Sequence, residues 1–81
     1  MKLAVKLFAR ARDLAGASQV ELDVPDQATV RYLRSALTSR YPALAPLAPI
    51  LLIAVGTDYA DDHVRLTAAS DVACFPPVSG G

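Results

Sequence analysis

Asp71-Val72-Ala73-Cys74-Phe75-Pro76-Pro77-Val78-Ser79-Gly80-Gly81 closes the chain, and its reading separates this sequence from other small α+β sequences. Asp71 to Phe75 reads as a final strand. The proline pair stops it, because proline lacks a backbone N–H and holds φ at about −65°. Pro-Pro also favours polyproline II, so residues 76–81 are expected to project from the domain as a flexible tail. Fully extended, these six residues reach about 20 Å, enough to enter a deep site on another protein. Gly80 and Gly81 have no side chains and can pass through a channel too narrow for a Cβ. The one reactive group such a channel would receive is the α-carboxylate of Gly81. A Gly-Gly end alone also has a bland reading, as a frayed terminus. Its place after Pro-Pro-Val-Ser, behind a strand that completes the core, makes it specific.

Working back from the tail, Ile50-Leu51-Leu52-Ile53-Ala54-Val55 is a continuous apolar run, as expected of a mid-sheet strand covered on both faces. Gly56-Thr57-Asp58 turns the chain, Tyr59-Ala60 reads as a brief return strand, and Val64 and Leu66 can plug the core. Near the N-terminus, Lys2 to Phe8 alternates, with Leu3, Val5 and Leu7 on one face. Gln19 to Val24 repeats the pattern with Val20, Leu22 and Val24, which predicts an antiparallel pair around a link, Arg10 to Ala15, of at most a turn or two of helix. Thr29 is placed to cap a helix whose apolar face is Val30, Leu33, Ala36, Leu37 and Tyr41, with Arg31, Arg34, Ser35 and Arg40 toward solvent and Pro42 at its end. Three prolines between Pro42 and Pro49 mark a loop with one helical turn in it.

The predicted order is β, β, α, β, short β, β: an α+β roll in which one main helix covers a small mixed sheet. Ubiquitin-like and ferredoxin-like arrangements share that order. At 81 residues the chain has room for a single core, so residues 1–75 are read as one domain and 76–81 as its tail.

Eight Lys/Arg balance eight Asp/Glu, and the basic residues are scattered, which disfavours nucleic acid as a partner. No stretch has the length of a membrane span and no apolar segment follows Met1, so a soluble, cytoplasmic protein with no membrane partner is expected. A lone cysteine, Cys74, permits no internal disulfide and fits a reducing compartment. Flanked by Ala73 and Phe75 in a strand, it reads as a small buried hydrophobe rather than a nucleophile. His63 stands near Asp58, Asp61 and Asp62, but this cluster reads as a solvated turn, so no metal and no bound cofactor are expected. No catalytic constellation is visible. Phe8, on the strand face opposite Leu3, Val5 and Leu7, and Phe75, at the root of the tail, are candidates for an apolar partner interface with Arg12 at its rim.

The sequence resembles the small subunit of molybdopterin synthase, the MoaD family of β-grasp sulfur carriers. The resemblance runs through Leu7-Phe8-Ala9-Arg10-Ala11-Arg12-Asp13-Leu14-Ala15-Gly16, Thr29-Val30 with Leu33, Val55 to Tyr59, Asp71-Val72-Ala73 and, most specifically, Pro76-Pro77-Val78-Ser79-Gly80-Gly81. It departs at Gly56, where the family usually has Asn, and at Ala69-Ser70-Asp71, which replaces a Gly-Asp/Glu turn. The resemblance implies a ubiquitin-like β-grasp fold. It implies that an ATP-consuming activating enzyme adenylates the Gly81 carboxylate and that sulfur then replaces AMP to leave a thiocarboxylate. It further implies that Pro76, Pro77, Val78, Ser79 and Gly80 carry that group into the large subunit, where sulfur passes to a cyclic pyranopterin. Thiamine-type carriers share a Gly-Gly end but are usually shorter and lack Pro-Pro-Val-Ser. A covalent ubiquitin-like modifier or a plain interaction domain are the alternatives from another class.

Overall fold

The computed structural model describes residues 1–77. Among these residues there are five strands: β1 (Lys2–Leu7), β2 (Gln19–Asp23), β3 (Leu52–Val55), β4 (Asp58–Tyr59) and β5 (Val72–Phe75). Two helices accompany them, α1 (Ala9–Ala15) and α2 (Val30–Arg40), with 3₁₀ turns at Pro42–Leu44 and Ala48–Ile50. The strands form one mixed sheet in the order β2-β1-β5-β3-β4. The two chain ends meet at its centre, where β1 and β5 run parallel; the other pairs are antiparallel.

The alternation in β1 and β2 is realised side by side: Leu3, Val5, Leu7, Val20 and Leu22 turn inward while Lys2, Lys6, Gln19, Glu21 and Asp23 stay exposed. Helix α2 lies across that inner face, contributing Val30, Leu33 and Leu37. Its start is fixed as the sequence predicts, with the Tyr32 backbone N–H donating to Thr29 Oγ1 at 3.2 Å. Leu44, Ile53, Leu66 and Val72 complete the core, and among the described residues no polar or charged side chain is buried. Such a core is held by apolar burial, at about 25 cal/mol per Å².

Two expectations need correction. Only Leu52–Val55 of the 50–55 run is strand, and it is covered on one face: Ile53 is buried whereas Leu52 and Ile50 are exposed. The reason is that both helices pack on the inner face, and no other element of the described residues covers the outer side of β3. Arg34 does not face solvent. Its side chain is only 20% exposed and turns under the chain, where Nη1 donates to the carbonyls of Ala48 and Leu51, each at 2.7 Å, and Nη2 to Asp62 Oδ1 at 3.3 Å. The carbonyls left open in and just after the broken, proline-rich 42–50 segment thus find a fixed, charged donor.

Candidate functional site

The site lies where β5 leaves the sheet. Pairing of Leu7 with Cys74 in the parallel β1–β5 ladder continues as a hydrogen bond from the Phe8 N–H to the Cys74 carbonyl at 3.2 Å. Phe8 is therefore set beside Phe75, and their rings stack with centroids 4.7 Å apart and planes 7° from parallel. The turn that permits this is strained. Ala9 adopts φ 53°, a left-handed conformation that costs an L-residue about 1–2 kcal/mol, and it swings the chain from extended Phe8 into α1. Phe8 thereby stays on the outer face, 40% exposed.

The register of β3 against β5 extends the patch. Leu52 pairs with Phe75, Ala54 with Ala73 and, across β4, Ala54 with Tyr59. Phe75, Ala73, Leu52, Ala54 and Tyr59 alternate with the inward residues Cys74 and Ile53, so they share the outer face with Phe8. Sequence alone does not single out Leu52 and Tyr59 as members of this face. The continuous apolar run containing Leu52 looks fully buried, and only the absence of a second layer shows otherwise. Arg12 follows Phe8 by one turn of α1, its backbone N–H bonding the Phe8 carbonyl at 3.4 Å, with an exposed guanidinium 3.7 Å from Asp13. Of the sequence-predicted site residues, Phe8, Arg12, Phe75, Pro76 and Pro77 are thus neighbours at one end of the sheet. Val78, Ser79, Gly80 and Gly81 lie outside the described residues.

Among the described residues no group near this patch is poised for catalysis. Cys74 is fully buried behind Phe75, and burial pushes its thiol up from 9.0 to about 12, opposed in part by the Arg34 charge. A thiol so protonated is a packing atom and a poor nucleophile. The Asp61 carboxylate accepts the His63 backbone N–H at 2.8 Å, which is turn chemistry. Among the described residues no cluster of three His, Cys, Asp or Glu could hold a metal ion. What the surface offers is an apolar platform of about six side chains beside the point where Pro76 and Pro77 carry the chain off the sheet.

A mixed sheet with the first and last strands parallel at its centre, crossed on one face by a single main helix, defines a ubiquitin-like β-grasp domain. The chain belongs to the ThiS family, which it matches over residues 5–81. It is 30% identical to the molybdopterin synthase sulfur carrier subunit of Arabidopsis thaliana, over all of this chain and 84% of the relative. To the sulfur carrier subunit of the same name from Drosophila erecta it is 34% identical, over 95% of this chain and 88% of the relative. Among solved structures, small archaeal modifier protein 1 of Haloferax volcanii matches with a TM-score of 0.87 and 30% identity over the whole of both chains.

Proposed function

We infer that this chain is the sulfur carrier subunit of a molybdopterin synthase. The observation that carries the inference is Gly80-Gly81, set behind Pro76-Pro77, on a β-grasp domain whose relatives are sulfur carrier subunits of that name. With Gly81 as the reacting end, the chemistry follows from its carboxylate. A carboxylate is a poor electrophile, so an activating enzyme transfers AMP from ATP to one oxygen, releasing pyrophosphate. A sulfide equivalent attacks the acyl carbon and AMP leaves, taking that oxygen. The resulting thiocarboxylate holds its charge largely on a polarisable sulfur and acts as a sulfur nucleophile toward the pterin precursor.

The catalytic groups belong to partners. The Phe8–Phe75 platform docks the large subunit with Arg12 at its edge, while residues 76–81 enter that subunit's active site and present Gly81. Among the described residues no helix is long and apolar enough to cross a membrane. With its thiol kept free, the chain suits the cytoplasm.

Intact-mass measurement after incubation with an activating enzyme, ATP and a sulfur source tests the reading. One oxygen of Gly81 should be exchanged for sulfur, and a mass that stays constant with cognate activating enzymes overturns it. A deletion strain should lose molybdoenzyme activity and keep thiamine prototrophy. A second reading, covalent attachment through Gly81 to lysines, is favoured by the similarity to small archaeal modifier protein 1. It predicts isopeptide-linked adducts that disappear when Gly81 is removed.

A further inference from the structure

We propose that the free edge of β2, with the groove between β2 and α2, binds an extended peptide carrying basic residues at alternate positions. The edge follows from the ladder. The Leu7 N–H bonds the Ser18 carbonyl at 2.8 Å and the Val24 N–H bonds the Met1 carbonyl at 2.9 Å. Antiparallel pairing alternates, so with the register Lys2 to Asp23 and Lys6 to Gln19, residues Ser18, Val20, Leu22 and Val24 exchange bonds with β1. The N–H and C=O groups of Gln19, Glu21 and Asp23 therefore point away from the sheet at its outer edge, available to one more strand.

Beside that edge, on the helix side, runs a groove of about 740 Å³ between Glu21, Leu22 and Asp23 of β2 and the α2 residues Tyr32, Ala36 and Arg40, with two serines of the helix also in its lining. Tyr32 is 49% exposed there although it sits on the helix that supplies the core. A strand added to β2 would have its side chains on two faces. Those opposite Gln19, Glu21 and Asp23 share the outer face with these polar and acidic side chains, and those between enter the groove.

Charge decides the occupant. Neither Glu21 nor Asp23 enters an ion pair among the described residues, although Lys2 stands opposite Asp23 in the ladder. A second copy pairing edge to edge about a two-fold at Glu21 would set Glu21 against its own symmetry mate, and like charges directly opposite are destabilising. A strand with Lys or Arg at those positions and small apolar residues between them meets both the carboxylates and the groove. This edge is two strands from β5, on the far side of β1, so a bound peptide leaves the Phe8–Phe75 platform open. The proposal does not depend on sulfur chemistry, and its test reads binding alone.

The full chain, labelled with ¹⁵N, is titrated with three capped pentapeptides: Lys-Val-Lys-Val-Lys, Glu-Val-Glu-Val-Glu, and the lysine peptide N-methylated throughout. The lysine peptide should shift amides of Gln19–Asp23 and Tyr32–Arg40 saturably, and bind about tenfold more tightly than the glutamate peptide. N-methylation should abolish binding by removing the strand's donors. Glu21→Lys with Asp23→Lys, both at exposed positions, should reverse the preference while the remaining amide spectrum is kept. Equal shifts from the N-methylated peptide, an unreversed preference, shifts centred on Phe8 and Phe75, or no saturable shift would each overturn the proposal.

Discussion

Phe8 and Phe75 stack face to face at 4.7 Å, although nearly the whole chain separates them in sequence. The contact exists because the first and last strands are parallel neighbours, with Leu7 opposite Cys74, and because Ala9 accepts a positive φ that keeps Phe8 on the outer face. The residue that roots the tail is thereby braced against the other end of the chain. An aromatic pair of this kind is worth about 0.5–1.5 kcal/mol beyond the area it buries. Alanine at each position and at both, read by urea unfolding, should give a coupling energy in that range.

Binding should respond more than folding does. If the platform docks a partner, Phe75→Ala removes an anchor whose burial is worth about 1.5–3 kcal/mol, a loss of roughly ten- to a hundredfold in affinity for the large subunit. Titration calorimetry on the folded variant measures it. An unchanged Kd would take Phe75 out of the interface.

Arg34 is expected to be the most sensitive charged residue for stability. It donates to two main-chain carbonyls and to Asp62, and removing it leaves the Ala48 and Leu51 carbonyls short of a donor at the entry to β3. Hydrogen bonds to charged groups contribute about 1.5–3 kcal/mol each, so losing the two carbonyl bonds in Arg34→Met should lower unfolding free energy by at least about 3 kcal/mol. Lysine has no planar fork to span two carbonyls and should recover less than half. Asp62→Asn should cost under about 1 kcal/mol, because its side chain is 47% exposed. Denaturant midpoints for the three variants check the ranking.

The sequence makes the alternating strands and the capped helix legible because each follows from a local period: Leu3-Val5-Leu7, Val20-Leu22-Val24, and Thr29 ahead of Val30, Leu33 and Leu37. Phe8 and Phe75 can be nominated for the same reason, as a residue on the wrong side of a period and one at the end of a strand, and Arg12 only as the rim of their patch. What stayed hidden depends on pairing at a distance. Leu52 reads as core until β3 is seen to lack cover, and it joins the site only through its register with Phe75. Arg34 reads as a solvent-facing member of α2 because the carbonyls it serves lie at residues 48 and 51, in a proline-rich stretch without periodicity. The strain at Ala9 leaves no trace in composition, since alanine is ordinarily a good helix former.

Cys74 should make itself felt only at alkaline pH. Its thiol titrates at about 12 in the folded chain against 9.0 for the unburied group. Below the lower value both states hold the proton and the group is neutral toward pH. Between the two the unfolded chain ionises while the folded one does not, so stability falls as pH rises across that window. Comparing Cys74→Ala with the parent chain isolates this slope from that of the lysines and tyrosines: the difference in unfolding free energy should shrink as pH climbs. A thiol-specific reagent should leave the native chain unmodified at neutral pH and react after unfolding. Rapid reaction in the folded state would contradict the burial.

Stability and function should part company at Gly80 and Gly81. If the tail threads a tight passage and presents its terminal carbonyl to two enzymes in turn, a single methyl at Gly80→Ala meets the channel wall in both, while the melting temperature stays that of the parent. Deleting Gly81 should be worse. It draws the reacting carbon back by one residue, roughly 3.3–3.6 Å, and a misplacement of about 1 Å can already cost on the order of a hundredfold in rate. Adding one residue after Gly81 should do equal damage by a different route, since it converts the reacting carboxyl into an amide with no acidic oxygen to take AMP. Adenylation assays on the three variants, with thermal melts as the control, separate these causes: the alanine variant should be slowed, and the shortened and extended chains should fail. An extended chain that still accepts sulfur without being trimmed would show that the reactive group lies elsewhere.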